Sequence, residues 1–233
     1  MPTATSTALA IRPGSAPSAP QPAQKLSGDA FATMINLSGR RRFTSQRVVL
    51  YALLATRKDA GAATIASDAL GLFKDAHTAL IHGSDSLPGV FCPALQEAYF
   101  GKEQGDRKIR DFVALAERVL HAIESGWQRV LPALLDELIE STTPLLATLN
   151  LITALYETEA RNHANRVQKQ VQEVMGEIKD ISKQAHMVAF NAQIVAARAG
   201  TAGREFSVVA NVLLHITGEI DQLLQAALSR SSA

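Results

Sequence analysis

The chain has 233 residues, with 23 basic and 22 acidic side chains and a formal net charge of +1. That balance excludes a global electrostatic pull toward nucleic acid or an anionic membrane surface. Alanine- and leucine-rich composition, 5% aromatics and little Gly/Pro punctuation beyond the N-terminus point to a helical protein able to hold one or two cores.

Residues 1–28 are mostly Ala, Pro, Ser and Thr. They carry too little large apolar surface to offset their ordering entropy, and they lack the basic-then-apolar pattern of a secretory signal, so a disordered tail is expected. A first helix is predicted over 29–58, with Asp29 as its capping residue. At 100° per residue its apolar face is Phe31, Ile35, Val49, Leu50 and Leu53, with Arg42 near the centre and Gly39 and Gln46 beside it. Arg40 and Arg41 point away on this register, and Arg47 sits at the polar edge. An arginine on an apolar face requires a partner, either an internal carboxylate or a bound anion, because an unpaired buried charge costs several kcal/mol.

Gly61 separates a second helix, 62–82, with Ile65, Leu72, Phe73, Ala76 and Leu80 inward. The connection 83–105 holds the breakers Pro88, Pro93, Gly101 and Gly105, the lone Cys92 and a short helix near 94–100. One cysteine excludes an intramolecular disulfide framework and fits a reducing, cytoplasmic setting. A third helix starts near Asp106 and carries Ile109, Phe112, Val113, Ala116, Val119, Leu120 and Ile123, with Trp127 as core and Pro132 as a kink or break. Thr142, Thr143 and Pro144 read as the start of a fourth helix. It runs without a breaker except Gly176 to Ala199, past a polar junction at 157–166. The longest apolar runs, 48–55 and 145–156, fall short of the ~20 residues of a membrane span.

From 171 the spacing changes. Val171, Val174, Ile178, Ile181, Ala185, Val188, Ala192, Val195 and Ala199 alternate in steps of three and four. Phe206, Val209, Leu213, Ile216, Ile220, Leu223 and Ala227 resume the pattern after Gly200 and Gly203. This is the seam expected of an antiparallel helical hairpin, with the glycines reversing the chain at positive φ. A second stripe, Met187, Phe190, Ile194 and Ala197, cannot be covered by the same two helices and calls for a second hairpin, hence a homodimer. Asp221 and Glu219 fall on the solvent face.

The run from His186 to Thr217, HMVAFNAQIVAARAGTAGREFSVVANVLLHIT, resembles the hairpin tip of methyl-accepting chemotaxis receptors. Ala189, Asn191, Ala192, Ile194, Ala196–Gly200, Gly203, Arg204, Phe206 and Val208–Ala210 match with the turn glycines in register. The resemblance implies a signalling hairpin whose tip residues Asn191, Arg198, Gly200, Gly203 and Arg204 meet chemotaxis receptors, a coupling adaptor or a histidine kinase. Val195, Thr201, Val212 and Leu214 stand where that pattern carries charged tip residues, three glutamates and an arginine, which puts kinase control in question. Asn36, Gly39, Arg42, Ser45, Gln46 and Arg47 resemble the opening helix of nitrate/nitrite sensor kinases and type IV pilus chemotaxis transducers; Ser38, Arg41, Phe43 and Thr44 depart from it. By that resemblance Arg42 and Arg47, helped by Asn36, Gly39 and Gln46, hold a small anion at a dimer interface.

The expected architecture is all-α: a four-helix sensor bundle over 29–157 continued into a signalling hairpin over 158–233, dimerising as a four-helix bundle. The expected function is a soluble chemoreceptor-like protein that senses a small ligand, such as nitrate or nitrite, and relays it through the hairpin. The alternative is a ligand-free interaction protein that joins or caps receptor arrays. Glu117/His121 and Glu159/His163 lack the Glu-x-x-His spacing of di-iron bundles, so no metal or cofactor is expected. No nucleophile, base and orienting group recur at readable spacing, and no enzyme is expected.

Overall fold

The computed structural model describes residues 26–231, so most of the expected tail lies outside the described residues. Six helices follow in order: α1 (Gly28–Thr56), α2 (Ala62–His82), α3 (Pro93–Phe100), α4 (Gly105–Glu124), α5 (Leu131–Arg198) and α6 (Arg204–Ser231), with a tight 3-10 turn at Gly200–Gly203. No named strand occurs among the described residues. The protein is all-α, as composition and periodicity require.

The cap of α1 is Ser27, not Asp29: its hydroxyl accepts from the Ala30 amide at 3.2 Å. Pro132 does not kink α4, which has already ended at Glu124; it occupies the first turn of α5, where no amide donor is needed. The Thr142–Pro144 start signal is overridden, and Pro144 lies inside α5. Its ring is on the exposed face, where the carbonyl it leaves unpaired can meet water, and Ser141 and Thr142 turn their hydroxyls back onto the Leu138 carbonyl at 2.7 and 3.1 Å. The 68 residues of α5 extend about 100 Å at 1.5 Å per residue. One 18-residue window in α5 has a mean hydropathy of 1.3 and is a third buried, enough to cross a membrane by length and composition only.

The core packs α1, α2, α4 and the first part of α5 together, with α3 closing one side. Phe31, Met34, Val48, Phe73, Leu80, Leu95, Ile109, Leu138, Leu149, Ile152 and Tyr156 are among its fully enclosed side chains. On α1 the inward positions are Phe31, Met34, Ser38, Arg41, Ser45, Val48 and Ala52, an unbroken alternation of three and four steps. Leu50 is exposed rather than inward. Likewise Leu72 on α2 faces solvent, and Trp127 is surface, edge-on to His121 with ring centroids 5.2 Å apart.

Beyond Ala160 and His163, α5 leaves the bundle and pairs with α6 alone. Here the observed seam differs from the expected one. Ser182, Ala189 and Ala196 on α5 meet Gly203, Ala210, Thr217 and Leu224 across the hairpin, each set in steps of seven. Val174, Ile181, Val188, Val195, Phe206, Val209 and Leu223, expected in the seam, are each more than half exposed. Small residues bring the two helices close, and the large ones are left on the outside.

Candidate functional site

Arg41 is the buried arginine of α1, with 0% of its surface exposed; Arg42, one position on, is half-buried beside it. The sequence reading of these two is corrected by one residue, or 100° of helix. The cause is physical: the inward stripe of α1 contains Ser38, Arg41 and Ser45, which an apolar count does not register.

Arg41 enters a polar chain that crosses the core. Its Nη2 donates to Ser38 Oγ at 3.3 Å, and its Nη1 lies 3.1 Å from His77 Nδ1 on α2. Arginine can only donate, so Nδ1 must accept and the imidazole proton must sit on Nε2. That proton points to Asp106 Oδ1 on α4, 3.0 Å away. The other Asp106 oxygen pairs with Arg110, one turn later. Burial and then the positive charge of Arg41 pull the His77 pKa from 6.5 to about 4, outweighing the opposing pull of Asp106. His77 is therefore neutral at pH 7, in agreement with the tautomer the geometry demands.

The Arg41 guanidinium also lies over the Tyr99 ring, 5.8 Å from its centroid. The Tyr99 and Tyr156 hydroxyls are 3.4 Å apart, and burial pushes the Tyr156 phenol well above its ordinary range, so it stays protonated. Arg41 Nε has no partner among the described residues. No carboxylate touches Arg41 directly among the described residues; Asp106 balances it through His77. None of Arg41, His77, Asp106 or Arg110 was expected as a site residue. The seven-residue spacing of Ser38 and Ser45 around Arg41, and the Asp106/Arg110 pair four apart, were the available signals.

The expected anion residues separate on α1. Arg42 turns toward α5 and donates to Asn150 Oδ1 at 3.2 Å, close to Gly39. Arg47 lies over the Tyr51 ring, 5.4 Å from its centroid, with Nε buried and unpartnered. Gln46, Arg47, Phe43, Leu50 and Tyr51 border a concavity of about 510 Å³ that Arg42 does not line. Asn36 and Gln46 are exposed.

At the hairpin tip Gly200 has φ +60°, the left-handed conformation expected of it. Gly203 serves differently: its φ is not positive, and a β-carbon there would overlap the Ala196 backbone. Asn191, Arg198 and Arg204 are exposed around this turn. Lower in the hairpin, Ser182 Oγ donates to the Thr217 carbonyl at 3.2 Å, and His186 Nδ1 lies 3.1 Å from Thr217 Oγ1. Asp221 is half-buried, with Oδ1 enclosed and unpartnered, rather than on the solvent face. No group of three or more His, Cys, Asp or Glu side chains arranged to hold a metal occurs among the described residues.

The chain is an all-helical bundle continued into a close-packed hairpin with an exposed tip. The model of the methyl-accepting chemotaxis protein signalling domain matches residues 103–222, just over half of the chain, and the protein belongs to that family. The match begins at the foot of α4, inside the bundle, and runs through most of α6. A methyl-accepting chemotaxis protein of Pseudomonas putida, McpS, is 39% identical over 74 residues, covering 29% of this chain and 12% of that relative. The chain thus spans about one eighth of the length of the curated relative it matches. No solved structure matches. The family's signalling domain points to chemoreceptor-like signal transduction.

Proposed function

We propose that this protein is a cytoplasmic, homodimeric chemoreceptor-type transducer. Its bundle takes a small anion such as nitrate or nitrite, and its hairpin carries the change to other chemotaxis components. The observation that carries this reading is the hairpin's inverted packing. Phe190, Val188, Val195, Phe206, Val209 and Val212 are all more than half exposed, and covering what remains open of each is worth on the order of 1 kcal/mol. A second hairpin against these faces gives a four-helix bundle with the large residues at its centre.

In the bundle, the buried and unpartnered Nε of Arg47, amid exposed Phe43 and Leu50, supports a second interface on α1. There Arg47 and Gln46 would hold the anion between two copies, without Arg42, which is turned to Asn150, and without Asn36 and Gly39, which do not line this concavity. Half-buried, unpaired Cys92 fits a reducing compartment. At the tip, Asn191, Arg198 and Arg204 around Gly200 and Gly203 are the surface for receptor hairpins, a coupling adaptor or a histidine kinase. Neutral residues at Val195, Thr201, Val212 and Leu214 weaken charge steering toward those partners.

Sedimentation at micromolar concentration, with and without nitrate, tests the proposal. The wild type is expected as a dimer, tightened by nitrate. Replacing Phe190 and Ile194 by Glu should yield monomers, since unpaired charge in an apolar interface is costly, and Arg47→Ala should remove only the nitrate effect. A wild-type monomer overturns the transducer reading. A dimer indifferent to nitrate leaves the ligand-free interaction protein as the better account.

A further inference from the structure

A cavity of about 550 Å³, sharing no lining residue with the Arg47 concavity, opens between α2 and α4. That volume lies in the ordinary range for small-molecule sites. Its floor is the buried pair His77 and Asp106. Arg110 and Lys74 stand at its rim, Lys74 held by Glu117 at 2.7 Å. The wall is apolar: Ile81, Val113, Ala114 and a half-exposed Phe100.

The charges do not balance. Arg110 and Lys74 at the rim are matched by Asp106 and Glu117, and Arg41, behind the floor and reached through His77, adds a third positive charge. Asp106 alone serves both Arg41, through His77, and Arg110. Arg110 lines the cavity and is 70% exposed, so the donors it does not spend on Asp106 are accessible to a ligand. An arginine in that position takes a carboxylate in two parallel hydrogen bonds. A single negative charge there would cancel the surplus and let Asp106 compensate Arg41 undivided. A bare inorganic anion would leave the apolar wall wet, and a cation would add to the surplus.

We propose that this cavity binds a small organic monocarboxylate, with its carboxylate on Arg110 and its apolar body against Ile81, Val113 and Phe100. The site is separate from the anion position on α1 and stands or falls independently of it. It also adjoins the signalling helix. Gly105, next to Asp106, is packed so tightly that a β-carbon there would overlap the Ala98 carbonyl and lie 3.3 Å from Thr148 and Ile152 of α5. A ligand that draws Arg110 off Asp106 therefore acts on the foot of α4 where it presses on α5.

Isothermal titration of the full chain at pH 7 with hexanoate, benzoate, nitrate and hexylamine tests this. Hexanoate or benzoate should bind with a millimolar or lower dissociation constant, while nitrate and hexylamine show no binding in this cavity. Arg110→Gln should weaken binding roughly tenfold or more. Ala114→Phe, a surface change that fills the cavity, should abolish it, and Arg47→Ala should leave it intact. The His77 ring signals in nitrogen–proton NMR should shift on binding in the wild type and not in Ala114→Phe. No carboxylate binding at about 10 mM, hexylamine bound in preference, or binding indifferent to both Arg110→Gln and Ala114→Phe overturns the proposal.

Discussion

The bundle and the hairpin share one helix and use it in opposite ways. In its first part α5 turns Leu138, Leu145, Leu149, Ile152 and Tyr156 inward against its own chain. In its second part it turns Ser182, Ala189 and Ala196 inward and shows Val188, Phe190 and Val195 to solvent. The first region completes a core alone, and the second completes only a close backbone contact. Hydrophobic periodicity is present in both, so periodicity reports that a face will be covered without saying by what. Side-chain size reports the rest: small residues where backbones approach within one chain, large ones where another surface is awaited.

The sharpest way to break this comparison is to delete an aromatic ring from each region. Phe73→Ala removes a fully enclosed ring that lies 5.5 Å from Phe112 between centroids, and should cost about 3–5 kcal/mol in urea denaturation. Phe190→Ala removes a ring 53% exposed in the single chain and should change monomer stability by no more than about 0.5 kcal/mol, while weakening self-association in sedimentation. Equal losses at the two sites would erase the distinction.

Next in size is the pH response, which should belong to the bundle alone. The folded His77 pKa, about 4, lies below its ordinary 6.5. Below pH 6.5 the unfolded chain takes up a proton that the folded chain refuses until about pH 4. Stability is therefore full above pH 6.5 and falls as the pH drops toward 4, by roughly 3 kcal/mol in all. Denaturation of wild type and His77→Gln across this window should show the slope in the first and lose this contribution in the second. An unchanged slope in His77→Gln would remove His77 from the account.

The smallest effect probes the hairpin turn. Gly200→Ala places a β-carbon on a residue with φ +60°, a strain of about 1–2 kcal/mol. Amide exchange should quicken in α6 and stay unchanged in α2. A slowdown in the hairpin, or a matching change in α2, would show that the two regions do not unfold separately.

The sequence read some elements closely. The second helix was expected at 62–82 and is Ala62–His82, because Gly61 and Gly83, both at positive φ, bound it. The short helix near 94–100 begins at Pro93, where proline fits a first turn. The reversal at Gly200 was also legible, since glycine is the residue that carries positive φ without strain. These features are local, set by single residues and their immediate neighbours. So was the family resemblance at the tip, which the match over residues 103–222 now supports.

Only the tertiary structure decided which side of each helix is inside. Apolar counting chose Arg42 and Leu50 for the face of α1 that Arg41 and Ser45 in fact occupy, because a hydrogen-bonded polar side chain can be buried as completely as a leucine. The partners that permit this, His77 and Asp106, lie 36 and 29 positions further along in turn, beyond any local pattern. Pro144 inside α5 has the same explanation: helical neighbours and backbone-directed hydroxyls hold a helix that the local signal would have restarted. What the sequence determined was most of where the chain is helical and the turn at Gly200, through backbone preferences each residue carries with it. Which stripe of each helix is covered, and which charge is paired, is a property of packing between distant segments and was settled there.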